Sequence, residues 1–184
     1  MRLTVAYQGR PGAYSELAAR QGLGERLHPL CCDTFADVVR AVTQATVEWG
    51  VLPVHNTLVG AIRTSRRLID AAPVVVVKEL ALPVSHALIG RPEARLEDIR
   101  AVRSHPVALA QCETFFRNHP AMERVKDMDT AGAVHTVMRG NDATVAAIAG
   151  VHAAAVCGAR ILLTGLEDCE ENATRFVFFR KRCR

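Results

Sequence analysis

The stretch GVLPVHNTLVGAI, residues 50–62, holds the pattern that decides the fold. Its apolar first half predicts a buried strand, the triplet His55-Asn56-Thr57 predicts a polar turn, and a helix is expected over about 62–71. This alternation of strand and helix recurs along the chain, which indicates an α/β fold with a largely parallel sheet. By itself, a histidine such as His55 is more typical of an exposed loop than of a catalytic site.

Caps and apolar spacing predict the other helices. Apolar residues recur three and four positions apart over 35–46, and Pro106 occupies a permissible first-turn position of a later helix that carries Cys112. Gly158 ends a helix over 151–157. The candidate N-caps are Ser15 or a neighbour, Thr34 and Thr130.

Two lobes are predicted from a change in amino-acid composition in the middle of the chain. The runs Val74–Lys78 and Leu80–Leu88 are rich in β-branched residues and leucine, and they suggest extended strands that cross between lobes. The predicted first lobe comprises residues 1–76 and 162–184, and the second comprises the inserted residues 77–161. In α/β folds of this kind, ligands bind at the carboxyl ends of strands, so we expect a cleft between the lobes.

Composition narrows the classes of function. The net charge is only +4 and aromatic residues make up 5%, whereas a nucleic-acid surface needs a basic stripe with aromatics. The seven histidines are dispersed without metal-ligand spacing, so we expect no metal. The sequence has no long apolar segment, so we expect no export signal and no membrane span. This favours a cytoplasmic protein. We therefore expect reduced thiols at Cys31, Cys32, Cys112, Cys157, Cys169 and Cys183.

Polar clusters at predicted strand ends are the candidate sites. A glycine such as Gly12 lets the backbone approach a ligand, and the hydroxyl of Ser15 can donate a hydrogen bond to it. An ordinary strand–helix turn would show the same residues. Gln111 could reach a ligand near the start of its helix, while Cys112 reads as a buried structural cysteine. Thr174 and Arg175 are adjacent in a predicted strand, so they point to opposite sides. Arginine suits carboxylate binding, but a surface arginine and an edge threonine are the plain alternative.

In order along the chain, these clusters resemble the catalytic domain of the prephenate dehydratase family. The stretches that carry the resemblance are YQGRPGAYSELAA, GVLPVHNTLVGAI, KELALPVSHALIG, SHPVALAQC, DTAGAV, VAAIAG and NATRFVFF. They cover nearly the whole chain, and several ordered motifs are a far more specific signal than any one of them.

The resemblance implies two α/β lobes of the type II periplasmic-binding-protein-like kind, with mixed, mostly parallel sheets and a cleft. It implies loss of water and carbon dioxide from a small anionic cyclic acid, giving phenylpyruvate if the acid is prephenate. It implies no cofactor, no nucleic-acid or membrane partner, and a homo-oligomer, either a dimer or a tetramer. Thr174 and His55 take the catalytic positions. The implied substrate-binding residues are Gly12, Ser15, Asn56, Thr57, His86, Ser104, His105, Gln111, Arg175 and Phe176.

Three departures from the family pattern leave the exact chemistry open. His55 occupies the position of the family's central glutamate, and Gly150 and Val151 replace a serine and a charged residue. The sequence stops at Arg184, so we expect no regulatory ACT domain and no feedback through one. We therefore weigh three functions: a prephenate dehydratase, a secondary-metabolic relative with changed chemistry as in tropone-type pathways, and a non-catalytic binding module.

Overall fold

A computed structural model describes residues 3–182, which form two compact α/β units. Within the described residues, the first unit comprises residues 3–10, Tyr14–Val84 and residues 171–182, and the second comprises Pro11–Ala13 and Ser85–Glu170. Each unit contains one mixed sheet. The predicted α/β fold with mixed sheets is confirmed.

The elements follow one another in the alternation that the sequence predicts. The strands are β1 (Leu3–Gln8), β2 (Leu27–Cys32), β3 (Trp49–Asn56), β4 (Gly60–Ala61), β5 (Val74–Pro83), β6 (Ala87–Gly90), β7 (Ala101–Ser104), β8 (Glu123–Lys126), β9 (Val145–Ala149), β10 (Arg160–Thr164) and β11 (Ala173–Lys181). The helices are α1 (Tyr14–Leu23), α2 (Phe35–Thr43), α3 (Arg63–Ala71), α4 (Pro106–Ala110), α5 (Glu113–Asn118), α6 (Thr130–Arg139) and α7 (Val151–Cys157).

The sheet of the first unit is built around β3 and β11. Its order is β2-β1-β3-β11-β5, with β4 paired to β3. Strand β1 runs parallel to β2 and β3, while β11 runs antiparallel to β3 and β5. Side chains alternate along β11, so Phe176 and Phe178 pack with α1 on one face while Val177 and Phe179 pack with α2 on the other. This two-sided core fixes the register of the central ladder.

The sheet of the second unit has the order β10-β6-β9-β7-β8. Strand β7 runs parallel to β8 and β9, and β6 runs antiparallel to β9 and β10. Its two faces bury separate apolar clusters, one with Phe115 and Phe116 of α5 and one with Val134 of α6 and Ala153 of α7. Both faces are thus covered by helices, as in other α/β sheets.

The predicted strand boundaries near residue 80 are wrong. The structure has one strand from Val74 to Pro83 and a second that starts only at Ala87. Between them the Val84 N–H donates to the Asn172 carbonyl, and the His86 N–H donates to Glu167. These long-range hydrogen bonds end the first strand, and the apolar run alone gives no sign of them.

One predicted helix cap is confirmed and one is wrong, and of the alternatives given for the first helix, Ser15 itself is not the cap. Thr34 forms a reciprocal capping box with Asp37, as a candidate N-cap should. The cap of α6 is Asp129 rather than Thr130, because the Asp129 carboxylate accepts from the Gly132 N–H at 2.7 Å. Ser15 lies inside α1, where its side chain is buried.

The helix predicted after Pro106 is two short helices. The helical conformation is interrupted at Gln111 and Cys112. The Asp168 carboxylate accepts hydrogen bonds from the first two backbone N–H groups of α5, at 2.7 and 2.9 Å. Cys112 is fully buried, and burial raises the pKa of its thiol to about 12. The interpretation of Cys112 as a structural cysteine is confirmed. The five cysteines within the described residues are unpaired thiols, and Cys183 lies outside them.

Candidate functional site

A buried asparagine at the end of β3 organises the candidate site of the first unit. The Asn56 side-chain oxygen accepts from the backbone N–H groups of Leu58 and Val59, both at 3.0 Å. Its amide nitrogen donates to Asn172 Oδ1 at 2.8 Å and to the Ala173 carbonyl at 3.2 Å. Because the oxygen meets two backbone N–H donors and the nitrogen meets the Ala173 carbonyl, the amide orientation is fixed by its surroundings.

The same amide holds the threonine of the Thr-Arg-Phe stretch. Asn56 Nδ2 donates to Thr174 Oγ1 at 2.9 Å, and the two residues are direct partners in the β3–β11 ladder. Thr57 closes the end of the ladder, since its hydroxyl donates to the Glu171 carbonyl and accepts from the Ala173 N–H, each at 2.9 Å. The structure therefore brings Asn56, Thr57 and Thr174 together, as a shared site requires.

His55 and Arg175 lie on the other face of this ladder. They are also cross-strand partners, one residue before Asn56 and one after Thr174. Both line an open groove, where Glu79 approaches the Arg175 guanidinium at 3.7 Å. Among the hydrogen bonds of residues 3–182, none joins His55 to Thr174.

In the second unit, His86 and Gln111 form a buried pair. His86 is 2% exposed, and its Nε2 lies 2.9 Å from Gln111 Oε1, so this nitrogen carries the proton when the amide oxygen faces it. Nδ1 is buried and has no hydrogen-bond partner among the described residues. Burial alone would raise the pKa of the neighbouring Glu167 carboxyl, but the hydrogen bond from the His86 N–H brings this pKa below its ordinary value. An ionised Glu167 thus fixes the backbone of His86.

Ser104 and His105 serve the local structure of this unit. The Ser104 side chain is fully buried, and its hydroxyl donates to the Ile148 carbonyl of the neighbouring strand β9 at 2.6 Å. His105 caps α4, where its Nδ1 accepts from the Val107 N–H at 3.2 Å. Their assignment to a substrate site stays a prediction.

Three further candidates are explained by packing. Gly12 has φ +88°, and a Cβ at this position would lie 2.9 Å from the Cα of Ala153, so α7 requires a glycine there. Ser15 is 6% exposed within α1, and Phe176 is 2% exposed in the core of the first unit. These environments do not test a ligand contact, which stays a prediction for all three.

The sequence interpretation included Asn172 in the stretch NATRFVFF but gave it no role in the site. This residue is 1% exposed and supplies the oxygen that receives the Asn56 amide. Its only signal was a polar residue immediately before the last strand.

Within residues 3–182, no cluster of three or more histidine, cysteine or acidic residues could hold a metal ion. No helix of that part of the chain is both long and apolar enough to cross a membrane.

Comparison with known proteins supplies the context for this geometry. The family profile described as prephenate dehydratase matches residues 5–184. Arogenate dehydratase 1 of Petunia hybrida is 41% identical over 182 residues, covering 95% of this chain and 41% of the relative. A bifunctional N-acyl-homoserine lactone acylase/prephenate dehydratase of Komagataeibacter europaeus is 36% identical over 178 residues, covering 97% of this chain and 63% of the relative. The chain thus spans less than half the length of the Petunia relative.

Solved structures have the same fold. A structure described as GqqA, a novel type of quorum quenching acylases, superposes with a TM-score of 0.89 at 35% identity over 98% of this chain and 65% of that chain. Prephenate dehydratase of Arthrobacter aurescens, solved with L-Phe, superposes with a TM-score of 0.90 at 22% identity over 99% of this chain and 61% of that chain. The family profile over residues 5–184 shows that the chain belongs to the prephenate dehydratase family.

Proposed function

We propose that this protein is a lyase that removes water and carbon dioxide from prephenate or a closely related cyclic acid such as arogenate. The product is phenylpyruvate from prephenate, or the corresponding amino acid from arogenate. The observation that carries the proposal is the Thr174 hydroxyl, held by the buried Asn56 amide in a family of dehydratases. The relatives named arogenate dehydratase support testing both acids.

The reaction needs a proton for a poor leaving group. As the carboxylate leaves as carbon dioxide, its electron pair enters the ring and expels the ring hydroxyl, which departs as water only if it gains a proton. Thr174 Oγ1 already accepts a hydrogen bond from Asn56, so its own hydrogen is free to point at the departing hydroxyl. We assign Thr174 the role of donor in this step.

Asn56 then stabilises the charge that the donation creates. When Thr174 gives up its proton, negative charge grows on Oγ1, which is the atom that the Asn56 amide contacts at 2.9 Å. A donor already in place for a developing oxyanion is an effective form of electrostatic catalysis. The hydrogen bonds from Leu58 and Val59 keep the Asn56 amide in position during this change.

His55 and Arg175 were predicted to act on the substrate, and we propose that they do so indirectly, by binding an anionic group on their own face of the ladder. Their location on the other face of the ladder favours anion binding over contact with the Thr174 hydroxyl. For His86 and Gln111 we propose a polar contact with the substrate through the buried Nδ1 of His86, whose orientation Gln111 sets.

We also propose that the active form is a homodimer or tetramer, which light scattering on the purified protein tests.

A second candidate function is a related enzyme with changed chemistry. The observation that favours it is His55, which stands where the family motif has a glutamate. Such an enzyme would decarboxylate prephenate without forming an aromatic ring, or would act on another cyclic acid. The two candidates differ in product, since only the first yields phenylpyruvate.

The test is turnover of purified protein with prephenate and arogenate, with products identified by mass spectrometry. Thr174→Val keeps the shape of the side chain but removes the hydroxyl, so we expect kcat to fall by roughly 100-fold or more. Thr174→Ser keeps the hydroxyl and serves as the matched control. Full activity in the valine variant would remove Thr174 from the mechanism, and a non-aromatic product would favour the second candidate.

A further inference from the structure

An arginine-rich groove lies on the first unit, beside β3, β11 and α3. Its volume is about 360 Å³, which is within the usual size range of small-ligand sites. The residues that line it are Val54, His55, Ala61, Arg63, Arg66, Arg67, Glu79 and Arg175. We call this surface the arginine groove.

The arginine groove carries more positive charge than its own carboxylates neutralise. Arg66 pairs with Asp70 at 3.4 Å and Arg175 pairs with Glu79 at 3.7 Å, and all four side chains are about half exposed or more. Arg63 and Arg67 form no ion pair with any residue in the described part of the chain. Two of four guanidinium groups therefore remain available to a ligand, and the two loose pairs can open.

Helix α3 adds to this positive field. A helix N-terminus carries a partial positive charge, and acidic residues normally occupy its first turn. Here the first turn contains no acidic residue, Ile62 provides no side-chain cap, and Arg63 is the first helical residue. Placing Arg63 at the positive end, with Arg66 one turn further along, is unfavourable unless an anion balances them.

We propose that the arginine groove binds a small anion with at least two negative charges, carried by carboxylate or phosphate groups. The planar guanidinium group matches both chemistries in a bidentate manner. A compact anion fits the volume.

This site is distinct from the pair that carries the proposed dehydration. Asn56 and Thr174 hydrogen-bond to each other on one face of the ladder, while their neighbours His55 and Arg175 line the arginine groove on the other. Successive side chains of a strand point to opposite faces, so one ligand group cannot bridge the two sets through the sheet.

His55 makes the groove a better anion site than the family motif would. A glutamate at position 55 would place a negative charge beside Arg175, its cross-strand partner. Opposite charges at such positions attract, so the glutamate would occupy a guanidinium and repel an incoming anion. The imidazole of His55 removes this competitor and can itself donate to an oxyanion.

The test is isothermal titration calorimetry at fixed ionic strength with inorganic phosphate and with malonate, using acetate as the monovalent control. We expect the wild type to bind at least one dianion and to bind acetate much more weakly. The dianion that binds more tightly identifies a phosphate or a carboxylate as the natural group. Failure of both dianions to bind would overturn the proposal.

Variants locate the binding and separate it from the proposed function. The double variant Arg63→Gln/Arg67→Gln should weaken binding by roughly tenfold or more, and His55→Glu should also weaken it. Arg26→Gln, an exposed arginine in the loop before β2, and Thr174→Val should bind like the wild type. Unchanged binding in the double variant, or loss only in Thr174→Val, would refute the arginine groove whatever the result of the turnover assay.

Discussion

The sharpest test of the site is Asn56→Asp, which changes one NH₂ group to oxygen and leaves the shape unchanged. The wild-type amide nitrogen donates to Asn172 Oδ1, the Ala173 carbonyl and Thr174 Oγ1 within 3.2 Å. An ionised aspartate can donate to none of these acceptors, although it still accepts from the backbone N–H groups of the following turn. The variant therefore isolates the donor half of the hydrogen-bond network.

The expected loss follows from the number of donors removed. Each lost hydrogen bond costs about 1 kcal/mol, and the buried carboxylate faces repulsion from Asn172, so the free energy of unfolding should fall by roughly 2–4 kcal/mol at pH 8. For a chain of this length that corresponds to a decrease in Tm of about 5–15 °C. Because the change removes the donor to Thr174 Oγ1 and adds charge beside it, kcat should fall by about 100-fold.

The loss of stability in Asn56→Asp should depend on pH in a defined direction. Desolvation and the missing donors favour the protonated acid, so the pKa of Asp at position 56 should be higher in the folded than in the unfolded protein. A raised carboxyl pKa costs stability as pH increases, so the Tm deficit should be largest at pH 8 and smaller at pH 5. Thermal unfolding at both values measures it, with Asn141→Asp in an exposed loop as the matched control. A wild-type Tm and kcat at pH 8 would refute the assigned role of Asn56.

Three further predictions concern other parts of the chain. His55→Gln replaces the imidazole with a side chain that does not titrate, so we expect lower turnover and an altered pH–rate profile; an unchanged profile and rate would exclude a catalytic role. Gly12→Ala should lower the free energy of unfolding by about 1–3 kcal/mol, because a Cβ would meet the Cα of Ala153 at 2.9 Å where φ is +88°. Gly24→Ala is its control, since φ there is +95° but no atom lies within 4 Å; equal losses would exclude the steric part. Asp168→Asn tests the start of α5: burial alone would raise the pKa of this carboxyl, but the backbone N–H groups that it accepts lower it. Its stabilisation is therefore present above about pH 4 and lost as pH falls through the lowered folded pKa, so the stability difference between the wild type and this variant should shrink below pH 4 in acid unfolding.

A local signal in the sequence was sufficient for the start of α2 but not for the start of α6. Thr34 is correctly predicted as a cap, because its capping box involves only Asp37, three residues away. Asp129 and Thr130 are both good cap residues, and only the contact with the Gly132 N–H decides between them. The end of β5 at Pro83 depends on a hydrogen bond between Val84 and Asn172 that no local pattern contains.

The candidate site depends even more on distant partners. Asn56 and Thr174 are 118 positions apart, so their contact could be predicted only from the order of motifs shared with a family. The arginine groove was not predicted, because Arg63, Arg66 and Arg67 read as scattered exposed charges. Their common surface exists only because α3 packs beside β3, the strand that pairs with β11 and its Arg175.

The β3–β11 ladder links the two proposals physically. The register that pairs Asn56 with Thr174 also pairs His55 with Arg175, and it shifts immediately after Arg175. An anion that holds His55 and Arg175 from one face would restrain the same backbone that positions the Thr174 hydroxyl on the other. The presence of His55 instead of the family's glutamate therefore affects more than one side chain. It changes which ligand can bind to this face of the ladder, while the hydrogen bond between Asn56 and Thr174 stays in place.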